Sequence, residues 1–152
     1  MSYIDRLIEN CRRAKAALPS RELVLEDLSD LSVLAGIRKA VYVLEHEDDP
    51  EKTFRDFSTY KATGDRKCTR LNARSPVLYV GSSITSLRQR INDHMGRGSP
   101  SIYALHLDHW YRGKLRLTVR VYDESAAVIQ IIEDDIADRL KPAFGKPGAN
   151  NR

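Results

Sequence analysis

Cysteine is scarce in this chain of 152 residues. Its two cysteines, Cys11 and Cys68, lie in polar surroundings and in no CxxC pattern, so we interpret them as reduced thiols and not as a disulfide framework or a zinc site. Long apolar runs are also lacking, and none approaches the roughly 20 residues that a membrane-spanning helix needs. The first residues, MSYIDRLIENCRRAKAAL, lack the continuous apolar core of a signal peptide. We therefore expect a cytoplasmic protein with no membrane partner.

Aromatic residues are few, at 7%, but the hydrophobic fraction of 41% suffices for one compact core and argues against global disorder. The net charge of +4 and the isoelectric point of about 9.1 bias the chain mildly toward polyanions. Residues 61–74 hold five basic side chains and one acidic one. The acids concentrate elsewhere, in LEHEDDPE and IEDDIAD. This distribution indicates a polyanionic partner more strongly than the net charge does.

Hydrophobic periodicity predicts most of the secondary structure. Ile4, Leu7, Ile8 and Cys11 have the spacing of one helix face. Strands are predicted at RELVLED, KAVYVLEH, SPVLYVGSS and GKLRLTVRVYDE, and helices at SITSLRQRINDHMG and SAAVIQIIEDDIADRLKP, with shorter helical turns in SDLSVL and SPSIYALHLDHWY. The order predicts an α+β domain with a small, mainly antiparallel β-sheet flanked by helices.

The chain divides into an N-terminal helical extension, residues 1–35, and one domain, residues 36–152, with a long insertion at about 46–75. The extension is open to three interpretations: a DNA clamp, a dimer element or a cover on the core. The insertion is polar and nearly free of aliphatic residues, so we expect a functional loop or local disorder, with at most a helical turn or two in PEKTFRDFSTY. It is either a tolerated surface loop or a DNA-contacting segment whose basic residues, Lys61, Arg66, Lys67, Arg70 and Arg74, bind the phosphate backbone.

Four separated pieces, in this order, resemble the GIY-YIG nuclease domain. They are AVY at 40–42, YVG at 79–81, the helix SLRQRINDH at 86–94, and the pair Glu133 and Pro142, nine positions apart. The resemblance spans roughly residues 36–145. Ala40 stands where the family has a glycine, and 37 positions separate Tyr42 from Tyr79. Gly145 stands where an asparagine often follows the proline, so only Asn150 or Asn151 from the tail would substitute.

The resemblance implies a metal-dependent endonuclease that acts on DNA, in which Tyr42 activates or positions the attacking water and Tyr79 lies beside it. Arg90 holds the scissile phosphate, and Arg88 is the alternative that contacts another phosphate. His94, four residues after Arg90 and on the same helix face, accepts or relays the proton or holds Tyr42 in place. Glu133 binds Mg²⁺ or Mn²⁺.

This chemistry suits the residue types. A hard divalent ion keeps most of its waters, so one carboxylate can hold it, and the planar guanidinium fork matches phosphate oxygens. Gly81 would permit a tight turn, and Ser82 and Ser83 at a helix start would bind a phosphate. One such site cuts one strand, so double-strand cleavage requires a homodimer or two successive events.

Each of these residues also has an ordinary structural role open to it, such as a core tyrosine or a solvated arginine. One alternative is therefore a catalytically inactive GIY-YIG-like module that binds nucleic acid. Another is a protein-interaction domain whose basic face binds an acidic partner. We interpret His106 and His109 as structural. Tyr103, Trp110 and Tyr111 either belong to the core or stack on bases.

Overall fold

The computed structural model describes residues 1–145 and contains one four-stranded sheet flanked by helices, which confirms the predicted α+β class. The helices are α1 (Tyr3–Ala16), α2 (Pro50–Ala62), α3 (Leu87–Met95) and α4 (Ala126–Leu140), and the strands are β1 (Arg21–Leu25), β2 (Ala40–His46), β3 (Val77–Ser83) and β4 (Leu115–Val121). All strand pairs are antiparallel, in the order β1-β4-β2-β3. Short 3-10 turns lie at Ser32–Leu34 and Leu107–His109.

The two faces of the sheet bury separate clusters of side chains. α4 packs its apolar stripe, including Ile129 and Ile132, against valines of β2 and β3. The opposite face carries the larger cluster, to which α3 contributes Leu87 and Ile91. A bulge opposite Leu44 in the β2–β3 ladder shifts the register there. Side chains alternate between the two faces along each strand. The β3 edge therefore carries side chains on both faces of the sheet.

The insertion is folded, and the prediction of a loop or local disorder over its first half is wrong. Asp49 caps α2, Pro50 lies in its first turn, and the helix runs for 13 residues. Its apolar face is aromatic: Phe57 is fully buried, with its ring centroid 4.3 Å from that of Phe144 and 5.0 Å from that of Trp110. Aromatic rings supply the burial that aliphatic residues normally provide, and for this reason aliphatic periodicity missed the helix.

The N-terminal 35 residues contribute both a helix and a strand. α1 begins with a capping box at Ser2 and Asp5, and its C-terminal end packs on α4 through Ala14 and Ala17. β1 then pairs with β4 along its whole length, so part of this segment completes the sheet. Both cysteines are free thiols. No helix within residues 1–145 is long and apolar enough to cross a bilayer.

Burial of Phe57 predicts that the insertion stabilises the whole domain. We expect Phe57→Ala to lower the free energy of unfolding by about 3–5 kcal/mol, because it leaves a cavity between Trp110 and Phe144. Thr59→Ala, on the exposed face of the same helix, is the matched control and should change it by less than about 0.5 kcal/mol. Urea denaturation measures both. Equal, small effects would show that α2 is a dispensable attachment.

Candidate active site

Two buried tyrosines lie side by side at the β3 edge of the sheet. Tyr42 from β2 and Tyr79 from β3 are both fully buried, and their rings stack with centroids 6.1 Å apart and planes 14° apart. Burial raises the pKa of Tyr42 far above its ordinary value and the pKa of Tyr79 to about 12, although the charge of Arg90 opposes both shifts. Both hydroxyls are therefore protonated at neutral pH in the isolated protein.

Gly81 makes this arrangement possible, but not by forming a turn. It lies within β3, directly opposite Tyr42 in the ladder. A Cβ atom at this position would come 2.6 Å from Tyr42 Cζ and 2.7 Å from Tyr79 Cε1. The missing side chain thus opens a space above the edge strand, and the Tyr42 ring fills it.

The helix start predicted at Ser82 and Ser83 is wrong, and their contact with a phosphate stays a prediction. Both serines remain in β3, where they pair with Val41 and Ala40. α3 begins only at Leu87, and Ser86 is its N-cap, accepting a hydrogen bond from the Gln89 backbone N–H at 3.2 Å. The stretch SSITS offers several possible caps, and strand pairing excludes the first two.

His94 is held in one tautomer. Its Nδ1 accepts a hydrogen bond from the Leu105 backbone N–H at 3.2 Å, and its Nε2 lies 3.0 Å from Tyr42 Oη. Complete burial, followed by the charge of Arg90, lowers the pKa of His94 well below its ordinary value, so the ring is neutral. Because Nδ1 accepts, Nε2 carries the proton and donates it to the Tyr42 oxygen. In this state His94 holds Tyr42 and is not free to take a proton from it.

The two candidate arginines on α3 face different surroundings. Arg90 is half-buried, and its Nη2 donates to Tyr79 Oη at 3.3 Å, while the guanidinium also reaches the Tyr103 carbonyl at 3.5 Å. Its charge acts on both tyrosines and on Glu133. Arg88 is exposed and its charge acts on the Asp30 carboxyl, away from the tyrosines. The geometry brings Arg90, and not Arg88, to the cluster.

Glu133 reaches the same edge from the opposite face of the sheet. It lies on α4 with a relative exposure of 6%, and its Oε2 accepts a hydrogen bond from Gln130 Nε2 at 2.7 Å. Burial raises the pKa of Glu133 to about 7, although hydrogen bonds from Gln130 and Ser82 and the charge of Arg90 oppose the shift. A buried carboxylate with this pKa gains strongly from any nearby cation.

A cleft of about 800 Å³ opens beside Glu133. Its rim carries the cations Arg70 and Lys141, and Val80 and Phe144 form part of its apolar wall. Asn72 lies at the same rim and donates to the carbonyl oxygens of Pro142, at 3.2 Å, and Gly145, at 2.8 Å. Nothing in the sequence singles out Asn72, because the two carbonyls that it contacts lie 70 and 73 positions further along the chain.

The remaining predicted phosphate contacts are spread along the insertion. Lys67 is exposed, and its Nζ lies 5.6 Å from the centroid of the Tyr103 ring. Arg74 is exposed and lies 3.6 Å from a Glu51 carboxylate oxygen. Trp110 and Tyr111 pack against the core, and Asn150 and Asn151 lie outside the described residues. Of the basic residues predicted to contact phosphate from the insertion, Arg70 alone lines the cleft beside Glu133.

One buried carboxylate at the cleft suits a hydrated divalent ion. Within residues 1–145 no three His, Cys, Asp or Glu side chains are grouped to bind an ion among themselves. Glu133 offers one buried carboxylate of raised pKa, and Asp134 beside it lines the same cleft. Mg²⁺ accepts such a site because it retains most of its waters. A zinc or calcium site would require more protein ligands.

Comparison with known proteins adds no identification: no family model, curated protein or solved structure matches this chain.

The close fit of Tyr42 over Gly81 predicts that a single methyl group is destabilising. We expect Gly81→Ala to lower the free energy of unfolding by about 1–3 kcal/mol, because the new Cβ meets both tyrosine rings. In a Tyr42→Ala background the same change should cost less, since one of the two rings is gone. Urea denaturation of the four proteins gives the coupling energy. Additive effects would mean that the Tyr42 ring does not occupy the space above Gly81.

The raised pKa of Glu133 predicts a stability that falls with pH. The ordinary pKa of a glutamate is 4.5, and that of Glu133 in the folded protein is about 7. Between these two pH values the folded state keeps a proton that the unfolded state has released. Glu133→Gln removes this penalty, so its advantage over the parent should grow through that window to at most about 3 kcal/mol above pH 7. Asp135→Asn, exposed on the same helix, is the control and should give no such trend. Urea denaturation from pH 4 to 8 measures the difference. If the stability of the parent and that of Glu133→Gln change in parallel with pH, the pKa of Glu133 is not raised.

Proposed function

We propose that this protein is a metal-dependent endonuclease of the GIY-YIG type that hydrolyses phosphodiester bonds of DNA. The observation that carries the proposal is convergence: Tyr42, Tyr79, Arg90, His94 and Glu133 come from β2, β3, α3 and α4 and meet at one edge of the sheet. These are the side chains that the resemblance to the family singled out from four separate stretches of sequence. An ordinary core does not need a half-buried arginine beside a buried histidine and a buried glutamate.

The residues supply distinct parts of a hydrolytic step. Tyr42 Oη accepts a hydrogen bond from His94 Nε2 and lies within the influence of the Arg90 charge. Both interactions favour negative charge on that oxygen, so they favour loss of the Tyr42 hydroxyl proton to solvent. The resulting tyrosinate would then take a proton from the attacking water. Arg90 is held by Tyr79, by Tyr42 and by the Tyr103 carbonyl, and its guanidinium fork would donate to a phosphate oxygen.

Glu133 would hold the divalent ion, Mg²⁺ or Mn²⁺, which when bound neutralises phosphate charge and stabilises the leaving oxygen. The carboxylate must be ionised for this role, and its pKa of about 7 makes the affinity for the ion rise with pH through neutrality. Ser82 and Gln130 orient the carboxylate by hydrogen bonds. Ser82 thus serves the site through Glu133 and not through a phosphate.

We expect the substrate strand to bind in the cleft beside Glu133. It places Arg70 and Lys141 at the rim, where they would contact backbone phosphates on one side of the scissile bond. Lys67 and Arg74 lie further along the insertion and would extend this contact. Binding would then depend steeply on salt concentration.

One observation favours a second function, an inactive nucleic-acid-binding module. Tyr42 is fully buried and its pKa is raised, so in the isolated protein its hydroxyl neither meets bulk water nor ionises at neutral pH. The module would keep the basic insertion and the cleft and lack the hydrolytic step. Cutting and binding measured on the same variants separate the two functions.

The test is relaxation of supercoiled plasmid with Mg²⁺ or Mn²⁺. We expect cutting by the parent, none by Glu133→Ala, and a loss of about 10²-fold or more in Arg90→Lys, because a lysine cannot reproduce the guanidinium fork. Arg88→Lys, two positions away on the same helix, is the matched control and should cut within a few-fold of the parent.

Retention of an oligonucleotide at low salt is measured alongside. Binding without metal-dependent cutting, or equal cutting by Glu133→Ala, would leave the binding module as the function. Neither binding nor cutting would favour an acidic protein as the partner of the basic face.

A further inference from the structure

His106 is a buried histidine outside the cluster at the β3 edge, and its contacts join two parts of the chain. Its relative exposure is 0% and its backbone is left-handed, with φ of 53°. Nε2 lies 2.9 Å from the Lys67 carbonyl oxygen and 3.0 Å from the Ile102 carbonyl oxygen. Carbonyls only accept, so Nε2 carries the proton and donates to both. Nδ1 is buried without a partner among residues 1–145, which suits a neutral ring with one N–H.

The ring fastens the insertion to residues 100–106, which we call the positioning segment. The two stretches also pair through their backbones: Lys67 N–H donates to the Pro100 carbonyl at 2.8 Å, Ala104 N–H to the Lys67 carbonyl at 3.3 Å, and Thr69 N–H to the Ala104 carbonyl at 3.3 Å. Cys68 and Ala104 form a parallel bridge. The Lys67 carbonyl therefore accepts from both His106 and Ala104, so it is the centre of the attachment.

The positioning segment in turn holds two residues of the candidate site. The Tyr103 carbonyl accepts from Arg90, and the Leu105 N–H donates to His94 Nδ1. Leu105 is fixed from the other side as well, since its carbonyl accepts from Trp110 Nε1 at 2.7 Å. The orientation of the guanidinium and the tautomer of His94 thus depend on backbone groups within three residues of His106.

We propose that His106 is a positioning residue: by clamping the insertion to residues 100–106 it sets the backbone groups that orient Arg90 and fix the tautomer of His94. The contact between His106 and the Lys67 carbonyl also links the basic insertion to Arg90, the side chain proposed to hold the phosphate. Lys67 itself lies over the ring of Tyr103, whose carbonyl contacts Arg90. The catalytic consequence rests on the proposed nuclease function, but the effect on His94 does not.

The variants are chosen to change the reach of the hydrogen-bond donor at position 106. His106→Asn tolerates the left-handed backbone, but its amide ends about where Nδ1 lies and does not reach both carbonyls. His106→Gln places an amide donor near the position of Nε2 and is the rescue variant. His109→Asn is the matched control, because His109 Nε2 also lies 2.9 Å from a backbone carbonyl oxygen, but that of Gly96 and not that of Lys67. Its contact with the insertion is a stacking of its ring on Tyr60 of α2, with centroids 6.2 Å apart, away from the Lys67 backbone.

The first readout is the ¹⁵N spectrum of the histidine rings, which is simple because the chain has four histidines. In the parent, His94 should show a protonated Nε2 and a bare Nδ1. His106→Asn should give a mixture of His94 tautomers, and His106→Gln and His109→Asn should keep the parent pattern. An unchanged His94 signal in His106→Asn, or an equal change in His109→Asn, would overturn the proposal.

The second readout is the rate of plasmid cutting. We expect kcat to fall by about 10- to 100-fold in His106→Asn with KM nearly unchanged, and to recover in His106→Gln, because the loss is one of geometry at the reacting centre. A changed His94 spectrum with no cutting by any protein, the parent included, would contradict the nuclease function and leave the clamp intact.

A measurement on the unaltered protein covers the case in which His106→Asn does not fold. If the clamp holds the segment, the amides of Leu105, Ala104 and Thr69 should exchange with solvent as one unit, with similar protection. Exchange of the Leu105 amide at least tenfold faster than that of the other two would show that it is held independently and would overturn the proposal.

Discussion

The contact between the Tyr42 ring and the backbone of Gly81 is the constraint on which the candidate site depends. Tyr42 comes from an interior strand, and its hydroxyl reaches the edge only because the residue opposite it has no side chain. Once the ring lies there, Tyr79 stacks against it and His94 meets its oxygen. Glu133 approaches the same edge from the other face through Ser82. The edge strand is the one place where side chains from both faces of a sheet can meet.

Burial determines how the charges of this cluster are distributed. Desolvation keeps both tyrosines protonated and His94 neutral, and it brings the pKa of Glu133 close to neutrality. Arg90 is then the permanent charge at the centre, and it favours the ionised form of each acid around it. A cation at Glu133 would act in the same direction. In this state a cation at Glu133 or an anion at Arg90 would relieve part of the desolvation cost.

The sequence predicted the elements whose signal is local. Strand alternation and the stripe of α4 gave the fold class, and the spacing of Arg90 and His94 placed both on one face of α3. The wrong predictions have physical reasons. Aliphatic periodicity does not predict α2, because the buried face of this helix is aromatic. The sequence predicts a turn at Gly81, whereas the structure uses the missing side chain as space for a ring from another strand. No sequence pattern predicts the roles of the Leu105 N–H, the Tyr103 carbonyl and Asn72, because backbone groups and contacts between distant segments leave no local pattern.

The insertion is more than a tolerated surface loop, because both of its halves are attached to the domain. Its first half is a core helix, since Phe57 is packed between Trp110 and Phe144. Its second half pairs by backbone hydrogen bonds with the stretch that contacts Arg90 and His94. A segment tied to the domain at both ends cannot move freely when its cations bind a phosphate. Force on Lys67 would pass through its own carbonyl, which His106 and Ala104 share, to the backbone groups that contact Arg90 and His94.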